Sequence, residues 1–222
     1  DPRVITSHSN ASSSTYGAMS PAAPAASPAR LSPVADATVD KTSPDSNYGT
    51  DEHLYVNYTT ESSETLERAF VQFDLSSIPV GSVIDYAEFA AYVDLLTVVP
   101  PGEPVDVGLK MATSSWTEGS VTWNTQPSLA AGAITRTVIT HSQWISWGIT
   151  ELVSYWYQNP SANDGFGLDS APVLDHQVGF NSREDTAHPP RLVVHYFAPP
   201  DILRLGVTTH NTIDPRNASY AP

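Results

Sequence analysis

In the segment "PVDVGLKMA" (104–112), Val105, Val107, Leu109 and Met111 alternate with Asp106, Gly108, Lys110 and Ala112. A period of two sends successive side chains to opposite faces of an extended strand, so this pattern predicts a strand with one buried and one wet face. The same period runs through "IDYAEFAAYVDLL" (84–96), and β-rich segments of similar length occur at "ADATVD" (35–40), "HLYVNY" (53–58) and "ERAFVQFDL" (67–75). Later come "AITRTVIT" (133–140), "GFGLDS" (165–170), "QVGFNSRE" (177–184) and "RLVVHYF" (191–197). Each is bounded by Pro, Gly, Asn or Asp, residues that end strands and make turns. Many short strands between turn signals predict an all-β fold, an antiparallel β-sandwich or jelly roll.

One segment departs from this rhythm. In "GITELVSYWYQNP", Ile149, Leu152, Val153 and Trp156 fall at i, i+3, i+4 and i+7, with Thr150 as the N-cap and Pro160 just beyond. That stripe predicts one short helix covering an open end or face of the sandwich.

The flanks read differently from the middle. Residues 1–34 hold eight serines, seven alanines and five prolines. This composition buries too little surface to offset the entropy of ordering, and only "RVIT" within it has strand character. The reading is therefore an N-terminal arm (1–34), a sandwich (35–197) and a C-terminal extension (198–222), the two flanks being extended tails. The extension carries Ile202, Leu203, Leu205 and Val207, an apolar surplus outside the sandwich.

Ten Lys and Arg against 24 Asp and Glu give a net charge of −14. Such a surface repels phosphate backbones and anionic membranes, which argues against nucleic acid as a partner. No apolar run is long enough to span a bilayer, and the first residues show no charged segment followed by an apolar one, as a retained signal peptide would. With no cysteine, the chain uses neither disulfides nor a thiol nucleophile. Few lysines, abundant Ser and Thr, and N-x-[ST] sequons at Asn10, Asn57 and Asn217 fit a secreted, cell-surface protein with glycosylation permitted.

The order of segments "ADATVDKTSPDSNYGTDEHLYV", "RAFVQFDLSSIPVGSVIDYAEFAAYV", "SSWTEGSVTWNTQP", "WGITELVSYW", "DGFGL" and "FNSRE....PPRLVVHY" resembles the DNRLRE domain over about residues 35–197. The resemblance implies a secreted bacterial or archaeal β-sandwich. Some members of that family are classed as carbohydrate-binding modules on polysaccharide-degrading enzymes, and many sit in cell-surface proteins of unassigned role. Members that bind acidic polysaccharide are expected to present several basic residues. Between 35 and 197 this chain has only Lys41, Lys110, Arg68, Arg136, Arg183 and Arg191.

Trp116 and Trp123 in "SSWTEGSVTWNTQP" are read as core, with Glu118 and Thr122 as local hydrogen-bond partners. A sugar platform needs exposed rings on one face, and Tyr48, Tyr55, Tyr58 and Tyr92 are the candidates. Asp36, Asp40, Asp45, Asn47 and Asp51 form an oxygen-rich stretch that suits calcium, although its spacing is not that of an EF-hand. The alternative is that these residues make turn hydrogen bonds or face water. Arg183 and Glu184 read as a structural ion pair near Arg68, or as part of a glycan site.

No nucleophile elbow, zinc-binding H-E-x-x-H or phosphate loop is present, so the expectation is a non-catalytic protein. Two roles then compete. The first is a structural subunit of a filament or surface coat, a head-to-tail homopolymer joined by strand exchange through Val4, Ile5, Ile202, Leu203, Leu205 and Val207. The second is a carbohydrate-binding module that recognises a polysaccharide. The sequence favours the first.

Overall fold

The computed structural model describes residues 27–60 and 65–199. Eleven strands follow in chain order: β1 (Ser27–Leu31), β2 (Pro33–Asp40), β3 (His53–Thr59), β4 (Thr65–Phe73), β5 (Val83–Val99), β6 (Val105–Met111), β7 (Ile134–Val138), β8 (Gln143–Gly148), β9 (Phe166–Ser170), β10 (Asp175–Asn181) and β11 (Arg191–Phe197). One helix, α1 (Thr150–Gln158), lies between β8 and β9. The residues proposed for assembly, Val4, Ile5, Ile202, Leu203, Leu205 and Val207, lie outside the described residues, as do Asn10 and Asn217.

The strands pair antiparallel in the order β1-β11-β5-β10-β3-β4-β9-β6-β7, with β2 added to β4 and β8 added to β5. Two strands make the sheet curl into a sandwich. β4 is paired along one edge by β2 and along the other by the end of β3 and by β9. β5, seventeen residues long, pairs with β11 over its first half and β10 over its second, while β8 takes its opposite edge.

The layers close on an aromatic core. Phe89 stands 4.8 Å from Phe166, 5.4 Å from Trp147 and 6.0 Å from Phe73, ring centroid to centroid, while Phe180 packs on Trp147 and Trp156 on Phe166. Removing each such side chain from water contributes about 1.5–3 kcal/mol. The alternation in β6 works as read: Val105, Val107 and Leu109 are buried and Met111 packs partly buried against them.

Several details differ from the sequence reading. β1 begins at Ser27, inside the stretch read as an arm, and pairs with β11 from Ser27↔Tyr196 to Leu31↔Leu192. In "SPARL" the only large apolar residue is Leu31, which packs on the core, too little pattern to announce a strand whose edge position is held mainly by backbone pairing. β8 was also unforeseen; its Trp147 is fully buried and donates its indole N–H to the Val107 carbonyl at 3.3 Å. The helix forms with Ile149, Val153 and Trp156 buried, but the N-cap is Ile149. Thr150 instead accepts the Ala87 N–H on its hydroxyl at 2.9 Å, tying the helix start to β5.

The tryptophans of the 113–130 loop are core, as expected, but of a second, smaller cluster. Trp116, Trp123 and Leu129 pack over Ala37, Val39, Phe70 and Val121. Their partners are not the local ones expected: Trp116 donates to the Asp164 carbonyl at 2.8 Å, and Arg68 lies over the Trp123 ring at 5.1 Å. Glu118 turns toward β2, and Thr122 bonds Thr125.

Candidate functional site

The sheet face away from the aromatic core carries its own rings. Along β5, Ala87, Phe89, Ala91 and Val93 point into the core, so Glu88, Ala90 and Tyr92 point outward by alternation. Tyr92 pairs with Trp144 of β8, whose neighbour in the opposite sense, Ile145, packs on the core. The pairing then shifts: Phe180 opposes Val93 and Gly179 opposes Leu95, which leaves Asp94 as the extra residue of a β-bulge. The bulge returns Leu95 to the outer face beside Gly179 and Tyr55.

Ring contacts tie this surface together. His188 stacks on Tyr92 at 4.2 Å with 13° between the planes, and Trp144 meets Tyr92 edge-on at 5.6 Å. The Arg191 guanidinium covers the Trp144 ring at 3.9 Å. On the other side of Asp94, His53 stacks on Tyr55 at 5.9 Å and its Nε2 lies 3.2 Å from Asp94 Oδ2. A half-exposed belt of rings, with one carboxylate between its two halves, thus crosses β3, β10, β5 and β8. Four neighbouring strands span roughly 14 Å at about 4.8 Å per step.

Gly179 forms the floor of this belt. A Cβ there would come within 3.0 Å of Leu95 Cβ and 3.2 Å of Tyr55 Cε1, so the Tyr55 ring lies over the glycine. Gly179→Val is expected to lift that ring, weakening any ligand stacked on it by several-fold while leaving the strands paired. Binding measurements beside circular dichroism check this, and unchanged affinity counts against Tyr55 as a contact.

Of the four tyrosines read as candidates, Tyr55 and Tyr92 belong to this face. Tyr48 lies in the loop after β2 in a backbone bridge with Thr38, and Tyr58 packs against His176. Tyr58 lines a cleft of about 490 Å³ with Arg68 and the Lys110–Asp169 ion pair, which is 2.7 Å long. His53, Trp144, His188 and Arg191 were not among the candidates. The alternation of "QWISWG", with Trp144 and Ser146 on one face and Ile145 and Trp147 on the other, was the available signal for Trp144.

The five oxygen donors read as a calcium set take separate tasks. Asp40 accepts the N–H and hydroxyl of Thr42, Asp45 accepts from Asn124, Asn47 donates to the Glu118 and Val121 carbonyls, and Asp51 is exposed. Among the described residues, the carboxylates that do converge are Asp36, Glu118 and Glu184, with oxygens within 4.8 Å of one another. Arg183 stands among them. Its guanidinium bonds both Glu118 oxygens at 2.9 and 3.0 Å, approaches Glu184 at 3.8 Å and donates to the Val34 carbonyl. The ion pair expected of Arg183 is therefore made chiefly with Glu118, and Arg68 bonds Gln126 instead.

Asp36 is 1% exposed. Burial pushes its carboxyl up to about 7; the Arg183 N–H it accepts at 2.8 Å opposes this, and the charges of Glu184 and Glu118 add to it. Asn57, the remaining sequon, sits within β3 opposite Glu67 and Gln177. Burial raises the Glu67 carboxyl, against hydrogen bonds from the Asn57 and Gln177 side chains.

A β-sandwich with an outward face of half-exposed rings has the architecture of a binding module. A family model matches residues 27–196, and the chain belongs to carbohydrate-binding module family 96. The match covers both the core and the ring face and starts at β1. It supports the carbohydrate-binding relation drawn from the motif order, though under this name rather than DNRLRE, and it favours the binding-module reading over the filament reading. No curated protein matches the chain. No helix among the described residues is long and apolar enough to cross a membrane.

Proposed function

We propose that this chain is a non-catalytic, secreted carbohydrate-binding module that holds a neutral polysaccharide on the outer face of β3, β10, β5 and β8. The observation that carries this reading is the ring belt of Tyr55, His53, Tyr92, His188 and Trp144. Rings of this kind stack on the apolar faces of pyranoses, and Asp94 beside them accepts hydrogen bonds from sugar hydroxyls. The preference for a neutral chain rests on charge. Asp94 and Glu88 lie on this face, Arg191 is engaged over Trp144, and the whole chain carries −14.

Affinity electrophoresis tests the reading with a soluble β-glucan, a xylan, a galactomannan and alginate cast into the gels. Retention by at least one neutral polysaccharide is expected. Any retardation by alginate should be weaker at low salt than at high salt, because repulsion is then unscreened. Alginate binding that strengthens as salt falls overturns the neutral preference, and no retention by any of the four counts against a polysaccharide ligand.

A further inference from the structure

Two prolines bring a cation to the ring belt. In "HPPR" (188–191), Pro189 and Pro190 have fixed backbone angles, and the side chains on either side of them meet neighbouring rings. His188 stacks on Tyr92, and the Arg191 guanidinium lies over Trp144 at 3.9 Å. To get there the arginine crosses β5. It starts on β11 opposite Ala90, whereas Trp144 stands on β8 opposite Tyr92. Ala90 points outward yet is 3% exposed, in keeping with a long side chain passing over its methyl group.

The contact with Trp144 engages one flat face of the guanidinium and none of its N–H groups, which lie in its plane as a rigid fork. Arg191 is half-exposed, and among the described residues no carboxylate forms an ion pair with it. The other arginines described above differ. Arg183 bonds Glu118 and the Val34 carbonyl, Arg68 bonds Gln126, and Arg136 donates to the Ser146 carbonyl at 2.6 Å. Arg191 is thus oriented by its face on Trp144 and keeps its donor edge for a ligand lying along the belt.

We propose that Arg191 is a specificity-determining residue of this module, its edge donating to two adjacent sugar hydroxyls and so selecting neutral chains that keep a free vicinal diol. This rests on the glycan reading above. A planar fork suits two oxygens held side by side, as in a carboxylate or a vicinal diol. Charge decides between them: Glu88 and Asp94 share the outer face of β5, and the chain carries −14, which disfavours an anion. A chain linked through the C4 oxygen keeps the C2 and C3 hydroxyls free in every unit, whereas linkage through the C3 oxygen removes that pair from all internal units. The module therefore prefers 1,4-linked to 1,3-linked β-glycans.

The test titrates the full chain with cellohexaose, xylohexaose and mannohexaose, all 1,4-linked, and with laminarihexaose, which is 1,3-linked and has adjacent free hydroxyls only at its ends. The parent is expected to bind at least one of the first three more tightly than laminarihexaose. Arg191→Lys keeps a cation beside Trp144 but loses the fork. It is expected to weaken the preferred chain about tenfold, as for a lost hydrogen bond to a charged donor, and to leave laminarihexaose nearly unchanged. Unchanged affinity for the preferred chain overturns the proposal. Equal losses for both linkages overturn it as well, because Arg191 then only props Trp144, and so does a parent that prefers laminarihexaose. A mannuronate hexasaccharide bound through Arg191 more tightly than any neutral chain shows a fork that reads a carboxylate, and overturns the diol. Binding of none of these probes is a separate result: it removes the glycan reading itself and this assignment with it.

Discussion

Replacing Tyr92 and Trp144 together by alanine is expected to weaken polysaccharide binding about a hundredfold while leaving the sandwich folded. Each ring that stacks on a sugar contributes on the order of 1–1.5 kcal/mol, so two lost together amount to roughly two powers of ten in affinity. Both side chains are half-exposed on the outer face, and their loss opens no cavity in the core. Trp147, three residues beyond Trp144, supplies the contrast. It is fully buried between Phe89 and Phe180, so Trp147→Ala should cost about 3–5 kcal/mol of stability. Isothermal titration with the polysaccharide retained in electrophoresis, run beside thermal unfolding, separates the two. If the double variant binds as the parent does, the ring belt is not the glycan site.

That contrast also shows what a single sequence makes legible. Period-two alternation located β6 and β5 because one face of each is buried against Phe89 and its neighbours while the other is wet. It could not find β1, where Leu31 is the one large apolar side chain packed on the core and the strand is otherwise held by backbone pairing with β11. Nor could it say which outward rings meet, because Tyr55 and Tyr92 are brought onto one face by the pairing of β3, β10 and β5 and by the bulge at Asp94. The loop tryptophans were correctly read as packed, yet their partners, Phe70 and the Asp164 carbonyl, are 46 and 48 positions from Trp116 in the chain. The oxygen-rich stretch from Asp36 to Asp51 was read from proximity along the chain. In space, Asp36 instead joins Glu118 and Glu184, contributed by two distant loops.

Asp36 gives the second large effect, and its sign is opposite to that of most carboxylates. In the unfolded chain its carboxyl titrates near 3.8, whereas in the fold burial holds it up to about 7. Between those values the folded state binds the extra proton, so stability is fully present below about pH 4 and is lost as pH rises through 7. A shift of about three units corresponds to an upper limit of roughly 4 kcal/mol, reduced in practice by readjustment of Arg183 among its three carboxylates. Asp36→Asn keeps an oxygen for the Arg183 N–H while removing the ionisation. The variant is therefore expected to match or exceed the parent in stability at pH 8, and to show a flatter dependence of stability on pH between 5 and 8. Denaturant unfolding across that range measures both. A variant that retains the parent's slope would place the proton elsewhere in the fold, and one that is less stable than the parent at pH 8 would mean that Asp36 is held as an anion by Arg183.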